Sequence, residues 1–222
     1  MHNIAVILAA GTGSRAGAGE PKQFRLLPNG KTVIETCVAA FEGEVDSICV
    51  VTHPDYLERT RTLLGSEVML IPGGKERWES SWNAIKAISS QLPILGDSNL
   101  LIHDCARPFV SRDIIRHVCQ ALETHEAVTV AVPATDTLYI IQDNCVAAIP
   151  PRTDYMRAQT PQAFRLPLIR RAYELALQAP DGIEATDDCG IVKRYLPQQE
   201  IFIVQGEEAN KKLTFASDFT NY

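Results

Sequence analysis

Residues 4–15 of the chain read IAVILAAGTGSR, an apolar run that passes directly into a loop of small residues. The run has the length of one buried strand and is too short to cross a membrane. It also lacks the basic flank of a signal peptide. We therefore expect a first strand that ends at a glycine-rich loop, and neither a signal peptide nor a membrane span.

The sequence that follows alternates β-branched apolar runs with segments of helical spacing. The further strand candidates are Ile48–Thr52, Val68–Ile71, Leu100–His103 and Val128–Val132. The helix candidates between them are Val33–Phe41, Tyr56–Leu64, Trp82–Ile88 and Ile114–Leu122. Such alternation is typical of a mostly parallel sheet with helices on both faces. We therefore predict an α/β, Rossmann-like fold that binds its ligand at the carboxyl ends of the strands.

A short polar turn interrupts this alternation after Pro133. Leu138–Ile141 and Cys145–Ile149 flank the turn QDN at residues 142–144, which predicts a β-hairpin arm within about residues 134–155. Two further helix candidates and a late strand follow at Arg165–Gln178, Thr186–Tyr195 and Glu200–Gln205. Since 222 residues can form one core, we expect a single domain that carries the arm.

Charge and cysteine content narrow the class of protein. A formal net charge of −6 disfavours nucleic acid or an anionic membrane as the main partner. The six cysteines are scattered and form no C-x-x-C pair, which disfavours a structural zinc site. Free thiols persist in a reducing compartment, so we expect a cytoplasmic protein.

The loop after the first strand is a candidate phosphate site. Small residues such as Ala10 and Gly11 let backbone N–H groups approach a phosphate chain, because no long side chain blocks the way. Arg15, together with Lys22 in the segment PKQF, supplies positive charge for the same anion. The spacing matches neither a P-loop nor a dinucleotide-binding fingerprint. An ordinary tight turn with solvated basic residues remains the alternative.

The segment LIHDCARP at residues 101–108 places an acidic residue at the end of a predicted buried strand. Asp104 there is a suitable oxygen ligand for Mg²⁺, and Arg107 is within reach of the same ligand. Asp104 could instead cap the next helix, but Ser111 is the better N-cap candidate. His103 points to the opposite side of the strand, so we interpret it as a core or supporting histidine.

The remaining motifs carry little information when taken singly. GGKER at residues 73–77, with Ser80 one helical turn later, permits close approach of backbone to a base or ribose. Arg152 with TPQ at residues 160–162, and NKKLT at residues 210–214, could each be surface charge.

Taken together, the motifs resemble the methylerythritol phosphate cytidylyltransferase family of isoprenoid biosynthesis. The resemblance runs from Ala5 to about Asp218 and rests on AAGTGSR, PKQF, GGKER with Ser80, HDCARP, TPQAF and NKKLT in that order. Residues 185–188 (ATDD) match a further segment. The resemblance implies a CTP-dependent enzyme with Mg²⁺ and a sugar-alcohol phosphate as acceptor. It also implies a homodimer whose arm completes the partner's site.

The resemblance assigns nucleotide-side roles to particular residues. Arg15 and Lys22 would neutralise the triphosphate and the charge that develops at the α-phosphorus. Gly74 and Ser80 would contact the cytidine. Lys212 would support the reacting phosphates.

The resemblance assigns the acceptor side to other residues. Asp104 with Arg107 would bind metal and substrate, while Thr137 and Arg152 on the arm would hold the acceptor phosphate. An acceptor phosphate oxygen would attack the α-phosphorus of CTP and pyrophosphate would leave. Because a phosphate monoester is already ionised near neutral pH, the reaction needs positioning and charge neutralisation more than a strong base.

Several departures from the family pattern leave the acceptor open. Lys75 stands where an acidic residue is common, Leu138–Tyr139 follows Thr137 where a basic residue is frequent, and NKKLT replaces a usual NIK. Ribitol phosphate cytidylyltransferases share nearly all the motifs and are the alternative. A non-catalytic nucleotide-binding protein on the same fold is a third possibility, because a fold alone does not specify activity.

Overall fold

The computed structural model describes residues 1–11, 20–91, 98–180, 182–183 and 185–219. The strands are β1 His2–Ala9, β2 Ser47–Thr52, β3 Met69–Pro72, β4 Ser98–Asp104, β5 Ala127–Pro133, β6 Ile140–Gln142, β7 Cys145–Ala148, β8 Met156–Arg165 and β9 Phe202–Gln205. The helices are α1 Val33–Phe41, α2 Leu57–Leu64, α3 Arg77–Ser89, α4 Arg112–Ala121, α5 Leu166–Leu177 and α6 Asp188–Tyr195.

Seven of the strands form one sheet in the order β3-β2-β1-β4-β8-β5-β9. Strands β1 to β4 pair in parallel, and β9 pairs in parallel with β5. Strand β8 runs antiparallel to both of its neighbours, β4 and β5. The predicted α/β, mostly parallel sheet is thereby confirmed.

Helices cover both faces of the sheet. Alternate side chains of β1 point to opposite faces, and on each face they pack into a separate apolar cluster. Ala5 and Ile7 pack on the side of α1 and α4. Ile4 and Val6 pack on the side of α3, α5 and α6. All four side chains are buried and β1 has a neighbouring strand on each side, so its end is a fixed platform for the loop that follows.

Helix ends follow the local capping chemistry. Ser111 caps α4 as predicted, accepting a hydrogen bond from the Ile114 N–H at 3.2 Å. Helix α3 begins at Arg77 and not at Trp82 as predicted, because Glu76 and Glu79 form a reciprocal capping box just before the apolar face starts.

Strand β8 is the element that the sequence analysis missed. It contains Pro161 and several polar residues, and a proline usually argues against a central strand. The pairing register with β5 moves from Gln162 opposite Thr129 to Gln159 opposite Val130, so Pro161 falls in an irregularity and has no partner residue in β4 or β5.

The predicted hairpin is confirmed as β6 and β7. Asp143 and Asn144 form its two-residue turn, and both have positive φ values, 49° and 61°. Apolar side chains on the hairpin and its flanks are more than half exposed to solvent, namely Tyr139, Ile140, Ile141, Val146 and Ile149. Within the described ranges, no helix combines the length and apolar character required to span a bilayer.

Candidate active site

A cavity of about 240 Å³ opens at the carboxyl ends of the parallel strands, where the fold was expected to bind its ligand. Its wall combines the end of β1, the loop before α3, the end of β4 and the segment around Lys212. Seven of the predicted site residues line it, namely Ala10, Gly11, Lys22, Gly74, Ser80, Asp104 and Lys212. Arg15 lies outside the described residues.

Gly73 and Gly74 let the loop before α3 approach the end of β1. A Cβ on Gly73 would overlap the Cβ of Ala10, and one on Gly74 would overlap the side chain of Glu79. The Gly74 N–H donates to Ser80 Oγ at 3.1 Å, and Ser80 is buried. Ser80 therefore holds the shape of the loop, in addition to any contact with a ligand.

Asp104 is the acidic centre of the cavity. Its Oδ1 accepts from Arg77 Nε at 3.1 Å, and its Oδ2 accepts from Lys212 Nζ at 2.7 Å. Burial by itself would raise the pKa of this carboxyl, but the charges of Arg77 and Lys212 outweigh it and hold the pKa well below its usual range. Asp104 is therefore ionised at neutral pH.

Lys212 reaches Asp104 because the residues on either side of it are anchored. Asn210, which is fully buried, donates from Nδ2 to Gln159 Oε1 at 3.1 Å and to the Thr160 carbonyl at 2.9 Å. The Leu213 N–H donates to the Ala106 carbonyl at 2.7 Å. The motif NKKLT thus acts as a clasp that brings its second lysine to the cavity, which a sequence pattern alone does not indicate.

Arg107 does not line the cavity in the described structure. Its guanidinium donates to the Asn210 carbonyl at 2.8 Å and to the Ala158 carbonyl at 3.2 Å. Burial lowers the pKa of Arg107, with Asp104 opposing that shift. These bonds tie the end of β4 to β8 and to the C-terminal clasp, whereas contact between Arg107 and substrate stays a prediction.

His103 belongs to the core, as the alternation along β4 indicated. Its ring is fully buried, with Nδ1 3.0 Å from Thr160 Oγ1 and Nε2 3.0 Å from the Arg107 carbonyl. Burial lowers the pKa of His103 to about 4, so the ring is neutral at physiological pH. Its function is to support the segment that follows Asp104.

Arg77 and Asp188 were not assigned a role from the sequence. Arg77 lines the cavity and bridges two carboxylates, since NH1 donates to Asp188 Oδ2 at 2.7 Å while Nε contacts Asp104. Burial alone would lower the pKa of the guanidinium, but Asp188 and Asp104 outweigh it and raise that pKa. The only sequence signals were the motifs GGKER and ATDD, which contain these residues.

The arm residues Thr137 and Arg152 lie apart from the lining of the cavity. Both are exposed, and Arg152 NH1 donates to the Thr135 carbonyl at 3.1 Å at the base of the arm. Their contact with the acceptor stays a prediction.

The chemistry of the site suits Mg²⁺ held jointly by protein and ligand. Asp104 offers hard carboxylate oxygens, and no group of three potential metal-ligating side chains occurs among the described residues. Mg²⁺ commonly binds through one or two carboxylates together with phosphate oxygens and water. The described side chains thus fit that mode and do not form an all-protein metal cage.

The fold and the cavity are typical of an α/β protein that binds phosphate-bearing ligands, because basic side chains such as Lys22, Arg77 and Lys212 line the cavity together with Asp104. The family model for 2-C-methyl-D-erythritol 4-phosphate cytidylyltransferase matches residues 3–221. The chain belongs to this family, whose members are enzymes.

Two relatives illustrate the range of the similarity. A 2-C-methyl-D-erythritol 4-phosphate cytidylyltransferase of Thermobifida fusca is 42% identical over 96% of this chain and 89% of the relative. A bifunctional ribulose 5-phosphate reductase/CDP-ribitol pyrophosphorylase of Haemophilus influenzae is 39% identical over 96% of this chain, which spans 45% of that protein.

Solved structures agree with the family assignment. The 4-diphosphocytidyl-2C-methyl-D-erythritol synthase of Anaerococcus prevotii superposes with a TM-score of 0.85 at 26% identity, covering 99% of this chain and 93% of that one. The 2-C-methyl-D-erythritol 4-phosphate cytidylyltransferase of Thermus thermophilus gives a TM-score of 0.78 at 29% identity, covering 99% of this chain and 96% of that one.

The contact between Gly73 and Ala10 yields a prediction about stability. Gly73→Ala should lower the free energy of unfolding by about 1–3 kcal/mol, because the added methyl group overpacks the junction between the loop and β1. The double variant Ala10→Gly, Gly73→Ala should recover most of that loss. Urea unfolding of the three proteins measures both effects, and a double variant no more stable than Gly73→Ala would contradict the assigned contact.

Proposed function

We propose that the protein transfers the cytidylyl group of CTP to 2-C-methyl-D-erythritol 4-phosphate and releases pyrophosphate. The observation that carries the proposal is the cavity lined by Lys22, Lys212 and Asp104, in which Lys212 donates to the ionised carboxylate of Asp104. Family membership and the 42% identical relative support the choice of nucleotide and acceptor.

The reaction brings two polyanions together, so the lysines have an electrostatic role. Lys22 and Lys212 would stabilise charge on the triphosphate as the bond to pyrophosphate breaks. Arg15, in the glycine-rich loop, is proposed to share this role. Bound Mg²⁺, held by Asp104 and phosphate oxygens, would supply further charge neutralisation at the reacting phosphates.

Asp104 is not proposed as a general base. Its lowered pKa makes it a weak base, and the attacking phosphate monoester is already ionised near neutral pH. Its proposed function is to hold Lys212 and the metal in register with the nucleotide.

The backbone of the cavity provides the nucleotide pocket. Ala10 and Gly11 leave room for the triphosphate beside their N–H groups, and Gly74 with Ser80 forms the wall proposed for cytidine. The backbone around Gly74 is fixed by its bond to Ser80 and by Glu79, which accepts from the N–H groups of Lys75 and Glu76. A fixed wall favours recognition of one nucleotide shape.

A homodimer through the arm is part of the proposal. The exposed apolar side chains of the hairpin need a partner surface, since an isolated two-stranded hairpin is marginal in water. Thr137 and Arg152 lie apart from the cavity of their own chain, which supports a role for them in the site of a second copy.

Cytoplasmic location is proposed because all six cysteines are free thiols.

Ribitol 5-phosphate is the second candidate acceptor. The 39% identical relative is named as a CDP-ribitol pyrophosphorylase, and it matches this chain almost as well as the first relative does. Both reactions use the same nucleotide chemistry, so only the acceptor subsite separates them.

A comparison of turnover with the two candidate acceptors identifies the substrate. Purified protein with CTP and Mg²⁺ is supplied with each polyol phosphate alone and pyrophosphate release is measured. We expect kcat/KM to be at least about tenfold higher with 2-C-methyl-D-erythritol 4-phosphate, since one well-placed polar contact is worth that factor. Preference for ribitol 5-phosphate would establish the second candidate, and release with neither would reject both.

Lys22→Ala should lower kcat by about a hundredfold or more, because it removes charge stabilisation at the reacting phosphates. Lys31→Ala is the matched control, since Lys31 is exposed and does not line the cavity. Steady-state kinetics and circular dichroism of both variants separate catalysis from folding. Equal activity of the two variants would remove Lys22 from the mechanism.

Subunit mixing tests the role of the arm. Arg152→Ala should raise the acceptor KM or lower kcat while leaving CTP affinity nearly unchanged, because the charge-assisted contact is to the acceptor. A heterodimer of one Arg152→Ala chain and one Lys22→Ala chain would contain one intact composite site. Activity in the mixture should exceed that of both parents after subunit exchange is verified. Absence of recovery would mean that Arg152 does not serve the partner's site.

A further inference from the structure

We propose that Arg77 is a positioning residue that, held by the buried Asp188, fixes the orientation of the Asp104 carboxylate in the cavity. The inference rests on the proposed function and deepens it. Arg77 donates through Nε to Asp104 Oδ1 at 3.1 Å and through NH1 to Asp188 Oδ2 at 2.7 Å. The guanidinium therefore spans the gap between the cavity and a carboxylate behind it.

Asp188 is a fixed anchor for this bridge. Its side chain is fully buried and does not line the cavity. The Tyr173 hydroxyl donates to Oδ1 at 2.6 Å, and the Asp188 N–H donates to Gln162 Oε1 at 3.0 Å. Tyr173 in turn stacks on Trp82, with ring centroids 5.7 Å apart and an interplanar angle of 8°. Both carboxylate oxygens thus have a defined partner.

The two carboxylate oxygens of Asp104 have different partners. Oδ1 is held by Arg77, which leaves Oδ2 to face Lys212 and the ligand space. Lys212 alone would constrain the carboxylate poorly, because its side chain is flexible and 37% exposed, against 27% for Arg77. Because Asp188 holds the planar guanidinium of Arg77 in place, the bond from Arg77 Nε to Oδ1 and the bond from Lys212 to Oδ2 together define the orientation of the Asp104 carboxylate.

A purely structural salt bridge is the competing explanation. Arg77 links α3 to β4 and α6, so its loss would also weaken the fold. A third explanation is direct contact between Arg77 and the ligand, because Arg77 itself lines the cavity. Only the positioning role requires the effect of Arg77 on turnover to disappear when the Asp104 carboxylate is absent.

A double-mutant cycle separates the three explanations. Arg77→Lys, Asp104→Asn and the double variant are compared with wild type for kcat, KM and the calorimetric Kd for CTP with Mg²⁺. We expect Arg77→Lys to lower kcat by on the order of tenfold and to weaken Mg²⁺-dependent CTP binding. In the Asp104→Asn background, Arg77→Lys should change kcat and the Kd for CTP by less than about twofold. A twofold change is about the deviation from additivity that independent sites also show, so a smaller change counts as no effect. Effects that multiply in the double variant would overturn the proposal.

Two milder changes cover the case in which Arg77→Lys does not fold. Asp188→Asn keeps the shape of the anchor and removes its charge, and Tyr173→Phe removes only the hydroxyl that holds it. Each should lower kcat in the wild-type background and lose that effect in the Asp104→Asn background. Arg170→Lys, in an exposed ion pair with Glu174 on α5, is the control for an arginine-to-lysine change and should keep wild-type kcat.

A ligand-free readout separates this inference from the proposed function. If wild type turns over neither acceptor, the proposed function fails, and crystal structures of wild type and Asp188→Asn then decide the inference. We expect the Asp104 carboxylate to rotate away from Lys212 in the variant. If wild type is inactive, an unchanged Asp104–Lys212 pair in Asp188→Asn would overturn the inference about Arg77. If wild type is active, an unchanged pair together with an unchanged kcat would overturn it.

Discussion

The site depends on a buried carboxylate that must remain charged. Asp104 ends β4 at 8% exposure, and an unpaired ionised carboxyl at such a place would cost several kcal/mol in desolvation. Hydrogen bonds from Arg77 and Lys212 offset that cost. Arg77 lies 27 residues before Asp104 in the sequence, and Lys212 lies 108 residues after it. The fold must therefore bring α3 and the C-terminal clasp to the end of β4, and much of the remaining structure serves that requirement.

Strand β8 meets most of this requirement. It lies between β4 and β5, and its polar residues face the elements that carry the site. Gln162 accepts from the N–H groups of Asp188 and Cys189 and donates to Asp187, which fixes the start of α6. Gln159 and the Thr160 carbonyl hold Asn210, which fixes the clasp. One strand thereby aligns both partners of the acidic centre.

The sequence predicted the parallel half of the fold and most of the cavity lining. Apolar runs reveal buried strands directly, and the predicted start of α1 is correct because Thr32 and Glu35 form a local capping box there. Strand β8 could not be found this way, since its polar side chains are satisfied by distant partners and resemble a loop locally. The link between Arg77 and Asp188 spans 111 residues, and no local pattern encodes such a contact.

The separation of the arm from the cavity has a consequence for how the proposed reaction is organised. Thr137 and Arg152 are absent from the described residues that line the cavity, so the proposed CTP subsite does not use the arm of its own chain. Arg152 is bonded to the base of the arm through the Thr135 carbonyl. In the proposed dimer, the position of the acceptor would then depend on the subunit interface, while the position of CTP would not. In that dimer, transfer to the acceptor would require association of two chains, whereas CTP binding would not.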